Sequence, residues 1–358
     1  MENSPSYLNT SDETYLKDWR ANSSYIQTFH KTIFILFFAS MDQIYNLISD
    51  GTLSDELSYC LRNRTLEQKF LYMNTWAWTY YDIVKVDNIY HESYPLNLFI
   101  DFATKNVFST DKTMALISLW CWRSEIESYI FEHMKDHFTI DYYGVDSSKN
   151  MLDLSIQRMK NIKSIQKHFI CADFSTNEFR RELTQLTTKS QTRIFTFFSN
   201  TFGNIEPNNI IDILFNLLKS GEKIWLDVRL RSGKSAKDDL KDFEKYHRYL
   251  NNQETLNFFY NPIENIKIAK SDGHLGLSTQ KIDYINAIKY QYSFILNKKI
   301  SVTMKNETIT ILPWESLKIL NIYTYDADGL IQFFEGHNFK LIQKHIQDER
   351  GQFLFEKI

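Results

Sequence analysis

The chain has 358 residues, with 41 Lys and Arg against 44 Asp and Glu, for a formal net charge of −3. That length allows one or two domains with ample core, and near-neutrality removes any bulk electrostatic case for a nucleic-acid partner. Three widely spaced cysteines, Cys60, Cys121 and Cys171, give neither a disulfide framework nor zinc spacing, so no metal is expected and a reducing, cytoplasmic setting is.

Residues 1–11 are polar, without the basic and apolar regions of a signal peptide. Ser11-Asp12-Glu13 caps a helix carrying Tyr15, Leu16 and Trp19, and helical character continues through Leu47. The apolar run 32–41 is about half the ~20 residues a membrane span needs, so a buried helix is expected and no membrane partner. Asp50-Gly51 breaks the pattern, and 53–71 reads as helix again. Residues 69–95 are crowded with aromatics. Most of them suit a packed interface, while tyrosines such as Tyr72, Tyr81 and Tyr90 can line a pocket for a flat or cationic ligand.

From Met114 the chain alternates short apolar segments (115–120, 140–146, 167–173 and 193–199) with helix-like ones. This alternation argues for βαβ units and a parallel sheet. Asp146 and Asp173 close the second and third segments. Ligands of doubly wound sheets bind beyond the carboxyl ends of the strands, where one acid can accept from a ribose diol and the next can meet an adenine amino group. Each acid can equally cap the helix that follows. The glycine-rich turn that a dinucleotide fold needs after its first strand is missing, for the chain reads Leu119-Trp120-Cys121-Trp122-Arg123-Ser124-Glu125.

The loop 200–207 lies at the same sheet edge, and Pro207 opens a helix to about Leu218. A fifth strand covers 223–230. Residues 235–266 read as helix. Four antiparallel strands follow at 277–284, 287–296, 301–304 and 308–312, with turns at Lys298-Lys299 and Lys305-Asn306. A helix at 326–336 and a hairpin of 339–346 and 353–358 end the chain. The expected architecture is α/β: a doubly wound, mostly parallel seven-stranded sheet formed by 95–230 with 321–358, and a second α+β substrate domain formed by 1–94 with 231–320.

These residues resemble a class I S-adenosylmethionine methyltransferase and, more closely, the histidine-specific methyltransferase family of ergothioneine biosynthesis, over roughly residues 69–358. Lys69-Phe70-Leu71-Tyr72, Tyr80-Tyr81-Asp82 and Ile89-Tyr90 resemble its "KxFYD…LF…YY" segment. Tyr142 to Ser147 resembles "(F/Y)xxxDxS", and Asp173-Phe174 resembles "GDF". Ser199-Asn200-Thr201-Phe202-Gly203-Asn204 resembles "GSTIGN", and Phe258-Phe259-Tyr260-Asn261 an asparagine-bearing helix turn. The resemblance implies S-adenosyl-L-methionine as cofactor, at Trp120, Trp122, Asp146, Ser147, Asp173, Phe174 and Asn200. It implies a small-molecule substrate at Tyr72, Tyr81, Tyr90, Thr201, Asn204, Asn261 and Asn321, and gives no acid–base catalyst.

The first motif departs from the family's "ELGSGTSEK". Ser118 stands for the acid, and Trp120 and Trp122 stand for the glycines. Ile319 and Asn321 fall where the family's "ExSxKF" segment has its acid and serine, with Glu315 nearby. Three functions are therefore expected in turn: N-methylation of a small amine or amino-acid-derived molecule, an inactive homologue acting as a binding or scaffolding subunit with a protein partner, and another ligand on the same fold.

Overall fold

The computed structural model describes residues 44–66, 68–72, 96–108, 113–134, 138–190, 192–233, 235–304 and 307–358. The expected helices up to residue 43, the apolar run 32–41, and the stretch 73–95 with Tyr81 and Tyr90 lie outside these residues.

The first described element corrects the sequence reading. Ile44–Asn46 is a short strand, β1, and not the end of a helix. It lies parallel against the strand at Gln166–Cys171. β-Branched and aromatic residues suit such an edge, and pairing supplies what three residues cannot supply alone. Asp50-Gly51 does not break a helix but begins α1, Asp50–Arg62. The helix expected to reach Leu71 stops there. Arg64 turns left-handed, and a single 3-10 turn covers Gln68–Leu71. Helix α2 is Asn97–Phe102.

The alternating units then appear as expected: β2 Thr113–Leu119, α3 Glu125–His133, β3 Thr139–Asp146, α4 Lys149–Met159, β4 Gln166–Cys171, α5 Asn177–Leu186, β5 Thr192–Phe197, α6 Pro207–Leu217 and β6 Lys223–Arg229. Met114 and Leu116 of β2 enter the core on one face, and Ala115, Ile117 and Leu119 the core on the other. Burial on both faces is why these strands read as unbroken apolar runs.

Helices α7, Ala236–His247, and α8, Gln253–Asn265, replace the single helix expected at 235–266. Asn252 accepts from Thr255 N at 2.8 Å and restarts the helix as an N-cap. Strands β7 Gly273–Ile282, β8 Ala287–Leu296, β9 Ile300–Met304, β10 Glu307–Ile311 and β11 Ser316–Tyr325 follow. They form two sheets: a three-stranded one in the order β11-β8-β7 and a separate β10-β9 ribbon. Lys298-Lys299 therefore links two sheets and does not close a hairpin within one. β11 is new relative to the sequence reading. Its register shifts between Lys318 and Leu320, which breaks the alternation a strand normally shows.

Helix α9, Ala327–Glu335, opens on Asp326, whose carboxylate accepts from Gly329 N at 3.0 Å. Strands β12 Phe339–Gln347 and β13 Arg350–Lys357 close the fold. The main sheet runs β1-β4-β3-β2-β5-β6-β13-β12, parallel as far as β6 and antiparallel across β13 and β12. It has eight strands where seven were expected, β1 being the addition. The chain winds outward through β3 and β4, then returns to the other side of β2 as β5. That switch point brings the loops after β2, β3, β4 and β5 to one edge of the sheet, where ligands of doubly wound folds bind. Among the described residues no helix is long and apolar enough to cross a membrane, and no acid, His and Cys group is arranged for a metal ion.

Candidate active site

The turn after β2 has the backbone of a glycine turn without a glycine. Trp120, Trp122 and Ser124 have φ of 53°, 52° and 51°. Such left-handed conformations cost an L-residue roughly 1–2 kcal/mol each. Neighbouring strand ends hold the turn: Cys121 N donates to Val145 O at 2.9 Å, and Trp122 N donates to Asp146 Oδ2 at 3.1 Å. Strand alternation predicts that both indoles lean the same way, but the turn has left strand geometry and they part. Trp120 meets Phe174 edge-on at 5.7 Å, and Trp122 lies 5.0 Å from the Tyr72 ring.

The two acids sit where the sequence put them, and neither is an N-cap. Ser148 and Thr176 cap α4 and α5. Each acid instead bends its loop by accepting from the N–H two residues on: Asp146 from Ser148 at 2.8 Å, and Asp173 from Ser175 at 2.9 Å. Asp146 is 5% exposed. Burial pushes its carboxyl from 3.8 up to about 7, against the N–H donors of Ser148, Trp122 and Ser147. Burial acts to raise Asp173 as well, but the Lys69 ammonium at 2.8 Å and the Ser175 donors outweigh it and hold the acid below its ordinary value. Lys69 is 4% exposed and also meets Glu56 at 2.8 Å. It was quoted in the resemblance and missed as a site residue, because its two partners lie on separate elements. Ser147 is buried, and its carbonyl accepts from Cys171 Sγ at 3.7 Å.

Tyr72 joins this group from the 68–72 segment. Its carbonyl accepts from Ser148 Oγ at 2.9 Å, and its ring lies 5.3 Å from Phe258. Asn261 is fully buried, and its amide donates to Leu71 O at 2.9 Å. It therefore positions the Tyr72 turn and presents no free amide to a ligand. Asn200 is also turned inward. Its Oδ1 accepts from Arg229 N at 2.8 Å, its own φ is 60°, and a Cβ on Gly203 would come within 2.5 Å of it. Thr201 is buried and donates to Phe198 O at 2.6 Å. Both hold the loop. Ser199 N and Arg350 Nη1 meet Asp227 Oδ2 at 2.9 and 2.8 Å, which pins the same loop to β6.

Asn204 ends the short turn Phe202–Asn204, half-buried, and that turn meets β11 through Phe202 on Tyr325 at 5.8 Å. On β11 the Oδ1 of Asn321 is buried without a hydrogen bond among the described residues. Tyr323, two residues on, donates to Glu206, whose other oxygen accepts from Tyr284 at 2.9 Å. The structure thus gathers the expected residues into two groups. Tyr72, Trp122, Asp146, Asp173, Phe174 and Trp120 surround the β2–β4 loop ends, while Asn204 and Asn321 lie on the 202–204 turn and on β11, two elements that meet through Phe202 and Tyr325.

A family model described as "Histidine-specific methyltransferase, SAM-dependent" matches residues 53–357. The chain belongs to this histidine-specific, S-adenosylmethionine-dependent methyltransferase family. No curated protein matches it. Among solved structures it is similar to PH0226 of Pyrococcus horikoshii at 11% identity and TM-score 0.40, covering 77% of this chain and 99% of that one. It is also similar to a Leishmania major S-adenosylmethionine-dependent methyltransferase at 7% and 0.39, over 84% and 82%, and to the DhpI complex with S-adenosylhomocysteine at 7% and 0.39, over 87% and 98%.

The family's donor fits the frame of the site. The left-handed turn keeps the main-chain path that glycines would give, and Asp146 and Asp173 stand at consecutive strand ends beside Phe174. The indoles of Trp120 and Trp122 flank that path. Beneath the turn, Ser118 donates to the carboxylate of Glu127, which comes from α3 and is 3% exposed. Burial pushes Glu127 from 4.5 up to about 7, against the Ser118 hydroxyl. A carboxyl raised on folding stabilises the fold in acid, fully below its unfolded value, and that contribution is lost as pH rises through the folded value. Glu127→Gln, which cannot ionise, is therefore expected to be about 1–3 kcal/mol more stable than the parent at pH 8, and within about 1 kcal/mol of it at pH 5. Urea midpoints at the two pH values measure this, and a pH-independent difference would sink it.

Proposed function

We propose that this family member methylates a nitrogen of a small amine or amino-acid-derived molecule, with S-adenosylmethionine as donor. The carrying observation is the pair Asp146 and Asp173, bent by the same turn at adjacent strand ends around the switch point. Asp146 serves the ribose hydroxyls, Asp173 and Phe174 the adenine, and the turn at 120–124 the amino-acid end. The bound donor supplies an electrophilic methyl group. The chain's own work is to hold a neutral amine in line with it, so proximity and orientation provide most of the rate. Asn204 and Asn321 orient that amine by hydrogen bonds, and the Tyr72 and Trp122 rings tolerate its developing positive charge.

Calorimetric titration with S-adenosylmethionine and S-adenosylhomocysteine tests the reading, with micromolar-range binding expected. Asp146→Ala removes charge-assisted hydrogen bonds and is expected to weaken that binding by about 1.5–3 kcal/mol. Unchanged affinity would remove Asp146 from the site.

A second reading, an inactive homologue that binds a ligand or a protein partner without methyl transfer, is favoured by one observation. Trp120 and Trp122 keep the glycine backbone and yet carry the largest side chains at its flanks. A well-folded chain with no detectable binding of either nucleoside would select it.

A further inference from the structure

Asp173 is a heavily engaged carboxylate. Its Oδ1 accepts from Ser175 N at 2.9 Å and from Ser175 Oγ at 2.5 Å. Its Oδ2 accepts from Lys69 Nζ at 2.8 Å. An ionised carboxylate offers about four lone-pair sites, so among the described residues one is left, on Oδ2. The side chain is 21% exposed, so that oxygen is not sealed off. Lys69 reaches it from outside the strand and loop units of the sheet, on the 3-10 turn Gln68–Leu71. The end of that turn is fixed twice: Leu71 O accepts from Asn261, and Tyr72 O accepts from Ser148 Oγ. On its other side the ammonium meets Glu56 of α1 at 2.8 Å. Lys69 is 4% exposed, and an ammonium so buried is unfavourable unless it is paired. Two carboxylates that share one ammonium also lie within twice the contact distance of each other. Without the cation, burial and that like charge would both drive a proton onto Asp173. The cation and the Ser175 donors hold the acid below its ordinary value instead.

The state of this acid decides what its open lone pair reads. Ionised, it only accepts; protonated, it also donates. Adenine presents an amino group at its six position, and hypoxanthine has a carbonyl oxygen there. We propose that Lys69 is a positioning residue for base choice: its ion pair fixes Asp173 as an acceptor, so that the site takes a 6-amino purine and turns away a 6-oxo purine. The proposal rests on the methyl-transfer reading, which places the nucleoside at Asp173, and it adds the residue on which selection of the base depends. Lys69 acts through Asp173 and not on the base.

The test reads a ratio of affinities and needs no turnover. S-adenosylhomocysteine and its deaminated counterpart, S-inosylhomocysteine, are titrated into the full chain by calorimetry near neutral pH. One hydrogen bond to a charged acceptor is expected to favour the adenosyl compound by about tenfold or more. Lys69→Met and Lys69→Gln are expected to cut that preference to within about threefold, and Lys69→Arg, which keeps the charge, to retain it. In an Asp173→Asn background, Lys69→Met is expected to change the preference no further, because the two side chains act as one unit. Urea midpoints identify the variants that fold, and a turn that was merely loosened would weaken both nucleosides alike. Equal binding of the two nucleosides by the parent, a preference that survives loss of the Lys69 charge, or a further change in the Asp173→Asn background would overturn the proposal and leave the methyl-transfer reading in place. A folded parent chain that binds neither nucleoside would overturn both. A preference that follows Lys69 in a chain that transfers no methyl group would uphold the role of Lys69 and remove the methyl-transfer reading.

Discussion

A chain carrying both Trp120→Gly and Trp122→Gly is expected to bind S-adenosylmethionine at least about tenfold more tightly than its parent, a gain of roughly 1.4 kcal/mol or more. The physical basis is the unusual match of backbone and side chain. Both positions have φ above 50°, where glycine pays no Cβ penalty. Glycine keeps the path, relieves roughly 1–2 kcal/mol of strain at each position, and removes the indole that flanks it. The fold loses the contacts of Trp120 with Phe174 and of Trp122 with Tyr72. Both indoles are half-buried, so the loss falls short of the ~3–5 kcal/mol of a fully buried tryptophan. The two effects together leave the double variant about 2–4 kcal/mol less stable in urea, by the same magnitudes. The gain is expected whether the parent binds weakly or not at all. Equal affinities would show that the indoles already lie clear of the donor.

Lys69→Met is expected to lower stability by about 2–4 kcal/mol at neutral pH. Removing one member of a buried charge group typically costs ~3–5 kcal/mol because it strands the others. Here the stranded carboxylates of Asp173 and Glu56 are 21% and 28% exposed, so water recovers part of the loss. The sign with pH is fixed by Asp173, held below its ordinary value of 3.8. A depressed carboxyl contributes stability above its unfolded value and loses it as pH falls through the folded one. The gap between parent and variant should therefore shrink as the solution is taken below about pH 4. A gap that stays constant from pH 7 to pH 3 would mean that Lys69 acts through packing and not through charge.

The sheet was legible because its strands are buried on both faces and therefore uniformly apolar, and the placement of Asp146 and Asp173 was legible because each closes such an apolar run. β1 was not legible, since three residues beside a polar turn carry no period of their own. β11 was hidden by its register shift, which sends Leu317, Ile319 and Leu320 all into one core. Within the site, residues with suggestive chemistry proved to serve the main chain. Asn200 accepts from the Arg229 N–H, and Thr201 and Asn261 donate to the carbonyls of Phe198 and Leu71. Two buried ionisable groups, Lys69 and Glu127, were missed. Each is defined by partners on another element, and a single sequence does not display those distances.

The clamp on the β5 loop also bears on the order in which the chain folds. Ser199 and Asn200 are fixed by Asp227, but Asp227 is fully buried and takes its counter-charge from Arg350, 123 residues later. Until β13 is made and docks beside β6, that carboxylate lacks its Arg350 ion pair and keeps only the electrostatic pull of Arg229, so burying it is less favourable. The early strands β2 to β6 can therefore associate while the loop that bears Asn204 is still unfixed. Closing so long a segment is entropically slow, though its cost grows only weakly with length. The β5 loop is consequently among the last parts of the molecule to take shape during synthesis, after the parallel strands that flank it are already paired.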